Sequence, residues 1–406
     1  MKQQFDVVIV GGGMAGASLA LLLKEQIDQG LKVALVDAQA ITPVNLQQPS
    51  FDARTTALSL GTKRILEGLN LWGNLQDHAC AIEHIQVSQQ EQFGRVRLHA
   101  KDSHVEAMGY VLENRALGQH LWQALLDIPN LSIMAPAKVS SYAMSAQGAD
   151  IEVSQDGELL HINTQLLVLA DGAQSEGCRQ LGITQTRFDY GQHALVCNVS
   201  FDKPHDHWAF ERFTRQGPMA LLPMTSNRFG LVWCMSSEQA HHYGQLNETE
   251  FKQALQKAVG HKVGRVSRIG ERHQYPLSLV KSKEQIRRNV VVMGNAAHAM
   301  HPVAGQGFNL ALRDAHSLAR HIENAWPSSS VGSLSLLSAY EASQQKDQLL
   351  TIGMSHELPT RFTEPGCQWS ILRALGMTAM DVSFVPKKLF AKQAMGLVGS
   401  AVPWRP

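Results

Sequence analysis

Short runs of β-branched and other apolar residues, each closed by glycine or an acid, alternate along the chain with stretches of helical spacing. Phe5–Val10 (FDVVIV) reads as a buried parallel strand, and Ala17–Gln26 as the amphipathic helix that follows it. Lys32–Val36 predicts a second strand ending at Asp37. Helical spacing then covers Thr56–Leu75 and Glu113–Asp127, the latter with Leu117, Leu121, Leu125 and Leu126 on one face. Between them Glu83–Ala100 alternates as a β-hairpin does. Leu131–Met134, Ile151–Val153 and Leu166–Ala170 predict further strands, and so does Asn289–Met293 late in the chain. From Phe308 onward apolar residues again recur at helical spacing. Strands alternating with helices in this way predict an α/β domain with a largely parallel sheet.

The pattern changes between about Gly177 and Gln274. Leu195–Phe201, Ala209–Thr214, Met219–Met224 and Phe229–Met235 predict antiparallel strands, interrupted by one helix at Thr249–Val259. This marks a second, sheet-rich domain inserted into the first. The expected division is a discontinuous nucleotide-binding domain at 1–75, 106–176 and 275–345, an inserted substrate domain at 76–105 and 177–274, and a helical C-terminal region at 346–406. Trp208, Phe213, Met219 and Trp233 read as ordinary core or as the wall of an apolar pocket. The tail Lys387–Val402 mixes lysines with Leu389, Phe390, Met395 and Leu397. It reads equally as a packed helix and as one lying at a membrane surface.

Composition narrows the class. Of 406 residues, 44% are hydrophobic and 17% charged, which fits a globular enzyme and not a disordered chain. A net charge of +1 and the lack of a basic block give no reason to expect a nucleic-acid partner. The five cysteines form no CxxC and are expected to be reduced thiols. Strand-like sequence begins by Phe5 without a basic leader, and no uncharged apolar run approaches the ~20 residues of a membrane span. The expectation is a cytoplasmic protein.

Three motifs carry chemistry. Gly11-Gly12-Gly13-Met14-Ala15-Gly16 matches G-x-G-x-x-G between a strand and a helix, and Asp37 follows Gly16 by 21 residues. Gly11 makes the tight turn, Gly13 lets a pyrophosphate approach, Gly16 lets helix and strand pack, and the carboxylate takes a ribose hydroxyl. The second motif is Asp171-Gly172, at the carboxyl end of a buried strand. The third is Val290–Asp314, where Gly294-Asn295 closes a strand and Pro302, Gly305, Gln306 and Gly307 precede a helix. Such backbone suits close approach to something flat or anionic, here read as a flavin. Arg54, just beyond the first nucleotide unit, is placed to touch phosphate or ribityl. His298 and His301 lie three apart, which invites a metal or base reading. Without a third ligand nearby, a structural role is favoured and no metal is assigned. No hydrolase or P-loop signature is present, and there is no second G-x-G-x-x-G.

In this order the three motifs resemble the single-component FAD-dependent aromatic hydroxylases with the para-hydroxybenzoate-hydroxylase-like fold. The resemblance runs from about residue 5 to about residue 345. Asp52-x-Arg54-x-x-Ala57-Leu58-Ser59 and His301-Pro302-x-Ala304-Gly305-Gln306-Gly307-x-Asn309 are similar to the ubiquinone-biosynthesis members. Phe210–Thr214, Gly217-Pro218 and Leu221–Met224 resemble the branch acting on 2-octaprenyl-6-methoxyphenol. The fold implied is a Rossmann-like FAD-binding domain with an inserted sheet-rich substrate domain and a helical C-terminus. The residues implied for the cofactor are Gly11, Gly13, Ala15, Gly16 and Asp37 for its ADP half, Arg54 and Asn114, and Asp171 and Gly172 for FAD and NAD(P)H. Asn295, Pro302, Gly305, Gln306, Gly307 and Asn309 serve ribityl and ring, while Leu221 and Pro223 are expected to touch substrate. No catalytic residue is named. Two positions depart from the family. Gly294-Asn295 stands where Gly-Asp is usual, which fits the methoxyphenol branch. Cys178, followed by Arg179, stands where an Arg is usual.

The resemblance implies hydroxylation of a polyprenylated methoxyphenol on the way to ubiquinone, with NAD(P)H and O2, through a C4a-hydroperoxyflavin. The alternatives are a sister hydroxylase acting at another ring position and a flavin-retaining scaffold subunit of a quinone-synthesis assembly. A halogenase reading lacks its Trp-rich signature. A long apolar substrate tail further implies contact with a lipid-carrying partner or peripheral association with the inner face of the membrane.

Overall fold

The computed structural model describes residues 2–40, 54–302, 305–363 and 376–397. Its centre is a sheet in the order Ile286–Arg287, Val290–Val292, Glu158–Leu169, Lys2–Val10, Val33–Val36, Ser132–Met134. The inner pairings are parallel, with Val10 opposite both Leu169 and Val36 and Val292 opposite Leu169. Lys138–Ser145 and Gly148–Gln155 extend Glu158–Leu169 as an antiparallel meander. Apolar residues fill both faces of these strands because helices cover one side and the meander covers the other. Helices Met14–Leu22, Asn114–Leu126 and Gln306–Ala325 pack on one face, and Leu19, Leu117, Leu121, Trp122, Leu312 and Leu318 are buried there.

The second sheet is antiparallel over most of its width and larger than expected. Its order is His298–Ala299, His273–Ser282, Gln185–Phe201, Arg228–Ser236, Pro218–Met224, Trp208–Phe213, His84–Gln89, Arg95–His99. The predicted hairpin forms, but it joins this sheet by a parallel pairing of His84–Gln89 with Trp208–Phe213. Strand His273–Ser282 belongs here too, so the inserted unit runs past the expected boundary at 274. The flavin-loop stretch then pairs back onto it at Val280–Ala299. Two faces of this sheet differ in bulk. Leu195, Met219, Leu221, Phe229, Leu231 and Trp233 face helices Ser237–Gln245 and Glu248–Val259. Ala194, Val196, Ala209, Ala220, Leu222 and Val232 face the opposite side. Large residues fill the core and small ones leave space.

Thr56–Leu75 is not one helix. Thr55–Ser59 is a strand paired with Gly109–Glu113, and the helix starts only at Leu60, capped by the Ser59 hydroxyl accepting from the Thr62 amide at 3.2 Å. Thr55, Thr56 and the leucines after them satisfy both periods locally, and pairing with a distant strand decides between them. Gly230 of the second sheet has no Cβ because Thr55 Oγ1 stands 2.5 Å from where one would lie, so the two sheets meet here. Arg228 reinforces the contact through an ion pair with Glu113 at 3.2 Å.

The C-terminal region is helical as expected. Leu334–Thr363 packs on Gln306–Ala325, and Phe384–Ala394 covers the hairpin, where Met377, Ala391 and Met395 are buried against Val96, Leu98 and Met108. Residues 398–402 of the tail, like Asp52, Ala53 and Ala304 of the motifs, lie outside the described residues. Among the described residues no helix is long and apolar enough to cross a membrane. Arg313 and Asp347 tie the two long helices together. The guanidinium Nε donates to Oδ2 at 2.6 Å and Nη2 to Oδ1 at 3.2 Å, with both side chains buried. Asp347→Ala is expected to destabilise the protein by about 3–5 kcal/mol, because it leaves a buried guanidinium unpaired. Urea unfolding of the variant measures this.

Candidate active site

Every sequence motif follows a parallel strand, and parallel strands end at one edge of the sheet. Backbone bonds lock that edge. The Gly11 amide donates to Val36 O at 2.8 Å, Ala170 to Val10 O at 2.8 Å, and Met293 to Leu169 O at 2.9 Å. Gly11 has φ +105°, and a Cβ there would lie 2.4 Å from Ala170 O. A Cβ on Gly16 would lie 1.9 Å from Gly11 O, so Gly16 is what lets the helix seat on the turn. The structure thus gives Gly11 a second duty beside the turn: it makes room for the Asp171-Gly172 segment.

A cavity of about 970 Å³ opens at this edge and runs under the second sheet. It is lined at one end by Gly11, Gly13, Ala15 and Asp37, and in the middle by Arg54, Asn114, Asp171, Gly172, Asn295, Pro302, Gly305, Gln306 and Gly307. That volume lies at the upper end of the ~300–1,000 Å³ typical of ligand sites. Asp37 Oδ2 accepts from the Gly12 amide at 2.6 Å and Oδ1 from Gln39 at 2.8 Å, so the acid is held in place at the cavity rim. Asn295 sits on a 3-10 turn with its side chain exposed to the cavity. Asn114 is buried, accepts from Thr56 Oγ1 at 2.5 Å, and donates its amide N–H to Arg54 O at 2.8 Å. The Arg54 guanidinium lies 4.5 Å from the centre of the Tyr275 ring.

Two helices open onto this cavity, and neither has a side-chain cap: Met14–Leu22 begins at Gly13 and Gln306–Ala325 at Gly305, φ +58°. By contrast, Ser59, Ser175, Ser236 and Asn247 cap the helices they precede. First-turn amides left open toward a cavity suit anionic and electron-rich ligand groups. This donor set fits a flavin dinucleotide, with pyrophosphate at the first helix and the ring's polar edge at the second.

Asn309 lines the cavity but is buried, and its side-chain amide bonds within the protein. Oδ1 accepts from Ser59 N at 2.8 Å and Thr62 Oγ1 at 2.7 Å, while Nδ2 donates to Ala57 O and Gly305 O, both at 2.8 Å. It clamps strand Thr55–Ser59 to the flavin-side loop. Gly16 acts through packing and does not line the cavity. Leu221 and Pro223, expected to touch substrate, do not line the cavity. Leu221 packs among the helix-side core, and the cavity receives Ala220 and Leu222 from the same strand, because neighbouring residues of a strand face opposite sides. Trp233 and Met219 are likewise core.

Asp171 Oδ2 accepts from the Gly177 amide at 3.1 Å, and burial raises its carboxyl above the usual range. Cys178 is buried behind it, and Arg179 pairs with Glu176 at the surface. Neither reaches the cavity. His298 meets Asp314 at 2.6 Å, both buried. His301 lines the cavity with its ring centre 4.9 Å from that of Tyr190, and burial, then nearby His356, holds its pKa down at about 4. It is therefore a neutral imidazole at ordinary pH. Alternation within strands predicts an apolar wall. Which side chains compose it, and the presence of Glu211 and Tyr275 on it, was not visible before the strands were paired.

These features define a class, the flavin-dependent monooxygenases that pair an FAD-binding sheet with a substrate sheet. The family model described as "FAD binding domain" matches residues 4–347. The chain belongs to this family and, within it, to the FAD-dependent hydroxylases of ubiquinone biosynthesis. It is 33% identical to the ubiquinone hydroxylase UbiL of Rhodospirillum rubrum, over 96% of this chain and 89% of that one. It is 28% identical to the 3-demethoxyubiquinol 3-hydroxylase of Escherichia coli, over 98% and 100%. The fold is that of p-nitrophenol 4-monooxygenase from Pseudomonas putida, with TM-score 0.78, 17% identity, and coverage of 98% and 99%. FAD is its cofactor, and NAD(P)H is the co-substrate typical of the family.

Asn309→Ala removes the clamp and leaves buried backbone groups unpaired at about 1–3 kcal/mol. FAD affinity is expected to fall about tenfold to a hundredfold, read by flavin fluorescence as apoprotein is titrated. In Gly16→Ala the added Cβ overlaps Gly11 O, and FAD binding is expected to be lost together with about 1–3 kcal/mol of stability.

Proposed function

We propose that this protein hydroxylates the aromatic ring of a polyprenylated methoxyphenol on the way to ubiquinone. The observation that carries the reading is the far half of the cavity. It is lined by Ala194, Val196, Ala209, Ala220, Leu222 and Val232, and bounded at the hairpin end by Val96, Leu98, Met108, Met377, Met380 and Phe390. A planar ring fits against small residues, and an isoprenoid tail fits against the flexible Met and Phe side chains. The relatives named as ubiquinone hydroxylases support a lipophilic quinone precursor.

Bound FAD, reduced by NAD(P)H, supplies the activated oxygen. The protein does the rest. Amides at Gly305–Gly307 and the positive end of the helix they begin favour negative charge at the ring edge beside them. The apolar wall keeps water from the reacting centre, and the roof of the second sheet holds the substrate ring against the cofactor.

The nearest alternative, hydroxylation at another ring position, uses the same cavity. A scaffold subunit without turnover is disfavoured by a substrate half of this size and apolarity. Peripheral membrane contact belongs to the same reading. Val382 and Leu389 are 81% and 62% exposed, and Leu389 shares a helix with Lys387, Lys388 and Lys392.

FAD-loaded protein given 2-methoxy-6-prenylphenol is expected to consume NAD(P)H only when substrate is present and to release a product one oxygen heavier, whose ring position NMR reads. NAD(P)H consumption without hydroxylated product overturns the proposal. Ala220→Phe, which fills the wall but not the nucleotide end, is expected to retain FAD and lose hydroxylation. Val382→Glu with Leu389→Glu is expected to lower partitioning onto anionic liposomes several-fold without changing turnover of the short-tailed substrate.

A further inference from the structure

The cavity wall carries one feature that its apolar character does not explain. Strand Trp208–Phe213 presents Ala209, Glu211 and Phe213 to the cavity. Glu211 lies opposite Ala220 on one side and Val87 on the other, and Ala220 lies opposite Val232. All three neighbours are small and apolar, and among the described residues no cation pairs with the carboxyl. Among the described residues it makes no hydrogen bond and no ion pair, and burial is the single influence on it. The surface it exposes is cavity wall, not outer solvent.

Two other buried acids of this protein have charged or ring-nitrogen partners. Arg313 meets Asp347, and Asp314 meets His298. An acid on an apolar wall without a partner is costly, and the cost is removed when a ligand brings a hydrogen-bond donor. The other polar side chains of this half of the cavity are already engaged: Arg54 with the face of Tyr275, and His301 with Tyr190 and Gln192. Cys234, on the strand beyond, is held protonated by burial and then by the charge of Glu211. It offers no base.

We propose that Glu211 receives the ring hydroxyl of the substrate, accepting its hydrogen bond and taking its proton as the ring is oxidised. This rests on the phenolic substrate argued above. Burial alone pushes the Glu211 carboxyl up to about 8, so the carboxylate that can take the proton predominates only above about that pH, and turnover is expected to rise as pH is raised through it. An ordinary phenol titrates near ~10, so transfer is uphill by about 2 pH units, against about 6 for an ordinary glutamate. In the step the O–H bond breaks, its electron pair stays on the phenol oxygen, and the proton rests on Glu211. The phenolate is the electron-rich ring that an electrophilic oxygen attacks. One oxygen atom of O2 enters the ring and the other leaves as water, with two electrons from NAD(P)H, and the hydrogen displaced from the ring carbon leaves as a proton when the ring becomes aromatic again. The proton returns to the product oxygen, so Glu211 ends as it began.

The test compares two ligands on FAD-loaded full-length protein by calorimetry: 2-methoxy-6-prenylphenol and its methyl ether, which lacks the donor. The wild type is expected to bind the phenol at least about tenfold tighter, as sites built for a hydroxyl do. In Glu211→Leu the ratio is expected to fall to about one, with FAD affinity unchanged. A ratio that stays at the wild-type value in E211L overturns the inference while leaving the substrate reading intact. Wild-type protein that binds neither compound overturns both. Glu211→Gln keeps the shape and an acceptor oxygen but cannot take the proton. Its ratio is expected to stay within about threefold of wild type while kcat falls about a hundredfold or more. An unchanged kcat in E211Q overturns the proton-accepting role, even if E211L fails to fold.

Discussion

Parallel hydrogen bonding between strands that are far apart in sequence is the constraint on which this molecule rests. Lys2–Val10 lies between Glu158–Leu169 and Val33–Val36, and Val290–Val292 adds beyond. Parallel strands in register must end together, so the turns after Val10, Leu169 and Val292 meet at one edge whatever the intervening chain does. Glycine is then required where those turns crowd each other. Gly11 stands against Ala170, Gly16 against Gly11, and Gly294 against Ala15, where a Cβ would lie 2.8 Å from the Ala15 methyl. The cofactor end of the cavity is what remains between them.

The second sheet solves a different problem. It has to be a stable core on one face and a binding wall on the other. It does so by bulk. Trp233, Phe229 and Leu231 carry the burial against two helices, and alanine and valine on the reverse leave room for a ligand. The wall residues contribute less burial than larger ones in the same places, and that stabilisation is forgone for space. Glu211 is a point where the wall departs from apolarity. Polar groups that break a local rule without a compensating partner cluster at functional sites.

Between the sheets a few contacts set the relation of cofactor to substrate. Thr55 against Gly230 and Arg228 with Glu113 join the sheets directly. Asn309 joins the loop at Gly305 to strand Thr55–Ser59 with four hydrogen bonds from one side chain. The loop that opens the flavin-side helix is therefore not free to drift from the strand carrying Thr56 and Ala57. Preorganisation of this kind is what lets a site exclude water around a reactive centre.

Local chemistry determined much of this from sequence alone. Gly11–Gly16 between a strand and a helix, Asp37 after the next strand, and Gly305–Gly307 before a long amphipathic helix each state their own backbone needs. The α/β class and the inserted antiparallel sheet follow from period and alternation. Tertiary pairing decided the rest. Thr55–Ser59 became a strand because Gly109–Glu113 lies beside it. Asn309 became a clamp because Ser59 and Thr62 are folded onto it from 250 and 247 residues away. Leu221 and Pro223 went to the face away from the cavity, and Ala220, Leu222 and Glu211 came to it. A strand's sequence shows that its side chains alternate, but which alternate set meets the core is settled only when another layer packs against one face, since a slip of one residue exchanges every side chain between them.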